Sequence, residues 1–181
     1  MPQLLPLRIE LEGITPLIWR RLIVSDSLTL QQLHKAIQAV MGWKNYHLHE
    51  FNIGEDAYGE PGEDGPEGVL AEKGVKLKDV LTGVTQFIYQ YDFGDDWQHR
   101  ITLEQALPTQ TRTKVALCTA GENATPPEDC GGPLSYPDLL QALANPSHPD
   151  HTDLREWIGA PFDPSTFDLA AAHLRLMRIK L

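Results

Sequence analysis

Hydrophobic and polar residues alternate with a period of two through residues 5–12. Leu5, Leu7, Ile9 and Leu11 fall on one side and Arg8, Glu10 and Glu12 on the other. Successive side chains of an extended chain project to opposite faces, so this pattern predicts a strand with one buried and one wet face. Gly13 to Pro16 supplies turn residues, and residues 17–24, LIWRRLIV, read as the antiparallel neighbour. In that segment Arg20 shares a side with Ile18, Leu22 and Val24, whereas Arg21 shares the other with Trp19 and Ile23. One arginine therefore lies on a largely apolar face. A buried guanidinium keeps its charge and calls for a carboxylate partner, which the aspartates at 92–96 are placed to supply.

The period changes at residues 29–41. Leu30, Leu33, Ile37, Val40 and Met41 form one helical stripe, Thr29 with Gln32 makes a capping box, and Gly42 ends the helix. Residues 47–53 return to alternation, with His47, His49, Phe51 and Ile53 on one face and Leu48, Glu50 and Asn52 on the other. Residues 54–68 hold five glycines, two prolines and six acids, and this composition predicts an exposed, mobile loop. A short helical turn is expected at 77–81.

The stretch YQYDFGDDWQHR at 89–100 reads as a hairpin. Residues 85–91 lead into a turn carrying Asp92, Asp95 and Asp96 between Tyr91, Phe93 and Trp97. The return strand, 97–103, then places Trp97, His99, Ile101 and Leu103 on one face. Residues 114–119 suit an edge strand, followed by the Pro- and Gly-punctuated loop GENATPPEDCGG. Helices follow at 136–144 with Ser135 as cap, at 149–157, and from Asp163 and Pro164 through Leu176. Together these elements predict one α+β domain: a mostly antiparallel, twisted sheet of about five strands with helices packed on one face.

Composition narrows the function. At 181 residues the chain suits a single core, and with 41% hydrophobic residues it falls in the ordinary globular range, with no apolar run long enough to span a bilayer. The N-terminus lacks a basic region followed by an apolar run, so a cytoplasmic location is expected. Cys118 and Cys130 are too few for a disulfide framework and are expected as free thiols. A net charge of −10 opposes nonspecific attraction to nucleic acid, leaving Arg20-Arg21 and the C-terminal Arg175, Arg178 and Lys180 as the places where a basic patch could form.

Three constellations carry candidate chemistry. His47, His49, Glu50 and His99, with Asp92, Asp95 and Asp96, could converge on a divalent metal if the two histidine-bearing faces meet. The competing reading has the aspartates satisfying turn backbone groups and the histidines hydrogen-bonded at the core edge. In the PPEDCGG loop, Glu128, Asp129 and Cys130 ride on a backbone shaped by Pro and Gly. The neighbouring acids disfavour a Cys130 thiolate, and the structural reading pairs the loop's acids with Arg20, Arg21 or Arg100. Finally, Tyr91 and Trp97 could offer a stacking surface if exposed, though a stripe of aromatics more often belongs to a core.

IWRRLIV at 18–24, LHEF at 48–51, YDFGDDWQHRI at 91–101, PPEDCGGP beginning at Pro126 and FDPSTFDL at 162–169 together resemble the plasmid pRiA4b ORF-3-like family across nearly the whole chain. The resemblance implies a single α+β domain of a kind carried by mobile genetic elements, with no defined reaction. The resolvase label borne by some relatives finds neither a serine-recombinase nucleophile fold nor a basic DNA-binding module here. Relatives often carry a cysteine directly before PPEDCGG, where this chain has Thr125, so a thiolate metal site would lose a ligand. The leading expectation is a noncatalytic binding or accessory module for a small-molecule or protein partner. The alternative is a metal-dependent hydrolase using the His/Asp cluster, with Arg20 or Arg21 steadying an anionic substrate.

Overall fold

The N-terminal alternation sets the middle of the sheet. Strand β1 (Gln3–Leu11) runs antiparallel to β2 (Trp19–Ser25) on one side and to β7 (Trp97–Leu103) on the other, with Ile9 level with Arg20 and Ile101. Leu7, Ile9 and Leu11 are sealed from solvent, and burying side chains of this size stabilises by roughly 1.5–3 kcal/mol each. On the opposite face the charged residues pair with one another. Arg8 meets Glu10 at 2.8 Å, Arg100 meets Glu10 at 3.0 Å and Glu12 at 2.9 Å, and Arg21 meets Glu104.

The computed structural model describes residues 1–62, 68–111, 113–159 and 161–181. Its sheet adds β3 (His49–Ile53), β4 (Asp56–Gly59), β5 (Leu70–Ala71), β6 (Gln86–Tyr91), β8 (Leu107–Pro108) and β9 (Ala116–Glu122). The order is β5-β4-β3-β6-β7-β1-β2-β9, with β8 beside β1. All pairings are antiparallel except β4 with β5. Among the described residues the sheet has nine strands where about five were expected, and the unforeseen ones, β4, β5 and β8, are short pieces within segments whose Gly and Pro content masks period two. The expected mobile loop at 54–68 is thereby corrected in part. Its first half turns at Gly54 and returns as β4, pairing Asn52 with Ala57, while residues 63–67 lie outside the described residues.

The helices are α1 (Leu30–Met41), α2 (Leu77–Val80), α3 (Gly132–Ala144), α4 (His151–Ile158) and α5 (Leu169–Leu176). In α1 the capping box forms as expected, Gly42 closes the helix in the left-handed region at φ 85°, and Leu30, Leu33, Ile37 and Val40 are fully buried. α5 packs on α1, and the Arg175 Nε donates to the Ala39 carbonyl at 2.6 Å.

Two helix starts differ from expectation. α3 begins at Gly132, ahead of Ser135. α5 begins only at Leu169, where Asp168 caps the Ala171 N–H at 2.8 Å; Asp163 instead closes its own turn onto Ser165. α3 starts from Gly131 with no side-chain cap, whereas at α5 two aspartates offer a cap and the later one takes it.

Candidate functional site

The site forms where the β6–β7 turn meets the loop that follows β9. Asp92 leaves β6 in the left-handed region at φ 59°, and its Oδ1 accepts from the Gly94 and Asp95 N–H groups at 3.0 and 3.3 Å. A short acidic side chain tolerates that backbone because it bonds locally to the turn. The turn then docks on the 126–131 loop. Asp95 Oδ2 accepts from the Gly131 N–H at 3.2 Å, and a Cβ placed on Gly132 would lie 2.1 Å from the Asp95 carbonyl oxygen. Only glycine permits this approach.

With turn and loop locked together, Asp92 Oδ2 and Asp129 Oδ1 both face His47. The His47 Nε2 lies 3.0 Å from Asp129 and 3.5 Å from Asp92, and the three ligand atoms all fall within 4.8 Å of one another. That nitrogen is shielded from solvent, yet neither carboxylate is aligned with it as a hydrogen-bond partner. Ligands held about 2.1 Å from a shared ion stand about 3.0–3.4 Å apart, which is close to this spacing. One imidazole with two carboxylates suits Mn²⁺, Fe²⁺ or Zn²⁺ better than a thiolate-seeking metal.

A closed polar circuit positions the segment that carries His47. The Asn45 N–H donates to Gln38 Oε1 (3.1 Å), Gln38 Nε2 donates to the Tyr89 hydroxyl (3.0 Å), and that hydroxyl donates to His34 Nδ1 (2.8 Å). His34 Nε2 then donates to Asn45 Oδ1 (2.7 Å). The side-chain oxygen of Asn45 can only accept, which fixes the His34 proton on Nε2. Burial first, and then the neighbouring His49, lowers the His34 pKa to about 3, so the ring is neutral. Beside this circuit, Tyr91 donates to Glu128 Oε1 at 2.6 Å and accepts from the Tyr46 N–H, while the Lys44 N–H donates to both Glu128 oxygens at 3.2 Å. Burial and then the Glu128 carboxylate push the Tyr91 pKa up, keeping it a donor.

Several sequence expectations are corrected here. The three imidazoles do not converge. His49 stacks on His34 with ring centres 3.5 Å apart and pairs with Glu72 at 2.9 Å, and His99 is sealed in the core with Nδ1 on the Tyr89 and Trp97 carbonyls. Burial lowers the His99 pKa to about 4. Glu50 sits beside Gln90 on the other face of the sheet, where alternation puts it, and Asp96 accepts from Gln90 and Gln98. Trp97, at 1% exposure, is core and offers no stacking surface, and Tyr91 is likewise buried against Trp43.

Arg20 takes no carboxylate. Its guanidinium donates to the Val40, Trp19, Glu122 and Asn123 carbonyls and to Thr125 Oγ1, under the Phe167 ring. Strand-end carbonyls supply the acceptors that the aspartates were expected to provide. Thr125 thus serves Arg20. Arg21 and Arg100 pair on the wet face, and among the described residues no arginine pairs with Glu128 or Asp129. Burial, followed by Asp95, raises the Cys130 pKa to about 12, in keeping with an unreactive thiol; both cysteines are free.

The residues that sequence reasoning missed are His34, Gln38, Asn45 and Glu72. A signal existed for two of them, because His34 and Gln38 follow Leu30 at four-residue steps along the buried stripe of α1. Two clefts flank the site. One, of about 500 Å³, runs between the loop and α3–α4 past Asp138, His148 and Asp150. The other, of about 370 Å³, is lined by Trp43, Pro126 and Glu128. Asp129 and Trp157 border both.

The chain is 37% identical over 169 residues to the uncharacterised protein y4hQ of Sinorhizobium fredii (strain NBRC 101917 / NGR234), covering 92% of this chain and 84% of the relative. It superimposes on the crystal structure of MM3350, a protein of unknown function from Methanosarcina mazei Go1, with a TM-score of 0.83 and 39% identity, over 93% of this chain and 97% of that one. No described helix is long and apolar enough to cross a membrane. The family model described as plasmid pRiA4b ORF-3-like protein matches residues 3–171, and the chain belongs to that family.

Proposed function

We propose that the protein is a binding module that holds a divalent cation between His47, Asp92 and Asp129 and uses the adjoining clefts to engage a small-molecule or protein partner. The observation that carries this reading is the shielded His47 Nε2, which faces two carboxylates that no arginine among the described residues neutralises. A cation there supplies the charge that the fold itself leaves out. After dialysis against a chelator, Mn²⁺ or Zn²⁺ at about a hundred times Kd is expected to stabilise the protein by ~2.7 kcal/mol, a rise in Tm of roughly 5–10 °C for a chain of this size. The His47→Ala variant is expected to lose that shift. A melting curve that no metal moves, or an equal shift in the variant, ends the reading.

One observation favours a second, hydrolytic reading. Three protein ligands leave coordination positions for water, and Glu128 stands on the same loop as Asp129. The expected aid from Arg20 or Arg21 drops out, since both are committed elsewhere. Turnover of bis-p-nitrophenyl phosphate or p-nitrophenyl acetate by the Mn²⁺-loaded protein, lost in Glu128→Gln, is the outcome that supports hydrolysis; no turnover removes it.

A further inference from the structure

A third cleft, of about 270 Å³, opens between α1 and α5 and shares Trp43 and Lys44 with the 370 Å³ cleft. Its charge is unlike that of the rest of the molecule. In a chain of net charge −10, four of the 15 lysines and arginines, Lys35, Lys44, Arg175 and Arg178, line this one concavity, and among the described residues no aspartate or glutamate does. Among the described residues none of the four pairs with a carboxylate, whereas Arg8, Arg21 and Arg100 all do. Like charges gathered around one concavity repel one another, which favours an anion between them.

Arg175 is held ready for that role. Its Nε donates to the Ala39 carbonyl at 2.6 Å, and its guanidinium rests over Gly42, where even an added Cβ would come within 3.5 Å. The two outer nitrogens make no hydrogen bond among the described residues and present the planar fork that matches phosphate oxygens in pairs. Trp43, Ala39 and Ile179 add apolar surface to the same cleft.

We propose that the α1–α5 cleft binds a small organic phosphomonoester, with the dianionic phosphate on Arg175, Lys35 and Arg178 and the apolar body against Trp43. A dianion suits a cluster of cations better than a monocarboxylate. A nucleic-acid strand is disfavoured by the size of the hollow and by the net charge of the chain. This inference does not depend on the cation site.

The test is titration calorimetry on the full chain in chelator at low salt, with phenyl phosphate, inorganic phosphate and a single-stranded oligonucleotide as probes. Phenyl phosphate is expected to bind more tightly than inorganic phosphate and to weaken as salt is raised. The exposed double variant Lys35→Gln/Arg178→Gln is expected to lose about ten-fold or more in affinity, as the removal of charged hydrogen bonds implies. Arg175→Gln is expected to abolish binding; if it does not fold, the double variant decides alone. No binding of phenyl phosphate at millimolar ligand, unchanged affinity in the double variant, or preferential binding of the oligonucleotide would overturn the proposal.

Discussion

Two histidine-bearing regions of the molecule differ in what their imidazoles face. Inside, His34 closes a ring of hydrogen bonds with Tyr89, Gln38 and Asn45, His49 is clamped between His34 and Glu72, and His99 turns Nδ1 onto two backbone carbonyls while its Nε2 is left without a partner in a ring set against Trp43. At the rim, His47 faces two carboxylates without a hydrogen bond to either. His34 and His49 find their partners within the protein, and the unpartnered nitrogen of His99 sits in aromatic core and, among the described residues, meets no carboxylate, which makes these imidazoles part of the scaffold. At the rim two carboxylates, one of them exposed, stand opposite the unpartnered nitrogen, and that pairing marks it as a place for a ligand.

The contrast is broken most forcefully by acid. His34 and His99 are neutral in the folded state, with pKa values lowered from 6.5 to about 3 and about 4. The unfolded chain takes up those two protons near pH 6.5, so it binds more protons than the folded state and stability falls as the pH drops. Each group contributes up to ~1.4 kcal/mol per pH unit, so the pair approaches ~2.7 kcal/mol per unit below pH 6. The loss ends only where the folded rings also protonate. Urea unfolding between pH 7 and pH 5 measures this above the range where carboxylates titrate, and a flat profile there means that the two rings are not buried and neutral.

A smaller effect sharpens the same contrast. Tyr89→Phe removes the hydroxyl through which Gln38 and His34 communicate and should cost about 1–3 kcal/mol by leaving buried partners unmet. Because the broken circuit anchors Asn45, two residues before His47, the variant should also weaken any metal-induced shift in Tm. Loss of stability with full metal response would separate the two regions completely. The smallest effect belongs to Asp129→Asn, whose carboxyl is largely exposed and should change stability by no more than about 0.5 kcal/mol by denaturant titration. A large loss would make Asp129 part of the scaffold instead.

Much of the scaffold was legible in the sequence because its signals are local. The alternation of β1, the hairpin of β6 and β7, and the capped stripe of α1 each follow from spacing within one segment. The site was legible only in part. His47 and Asp92 were named as candidates, but their meeting with Asp129 depends on a loop packing against a turn some 35 residues away in sequence, and no periodicity encodes that. Arg20 shows the same limit. Its place on an apolar face was readable, but its partners are carbonyls at the end of β9, and every residue carries a carbonyl.

The contact of Gly132 with Asp95 has a consequence for how such a site can vary. Because main chain rests on main chain there, the gap between the two acidic loops is set by the backbone and cannot be widened by exchanging side chains. A lineage seeking to accommodate a larger guest must first lengthen or rebuild one of the two segments, so length variation near this glycine is the expected trace of changed specificity.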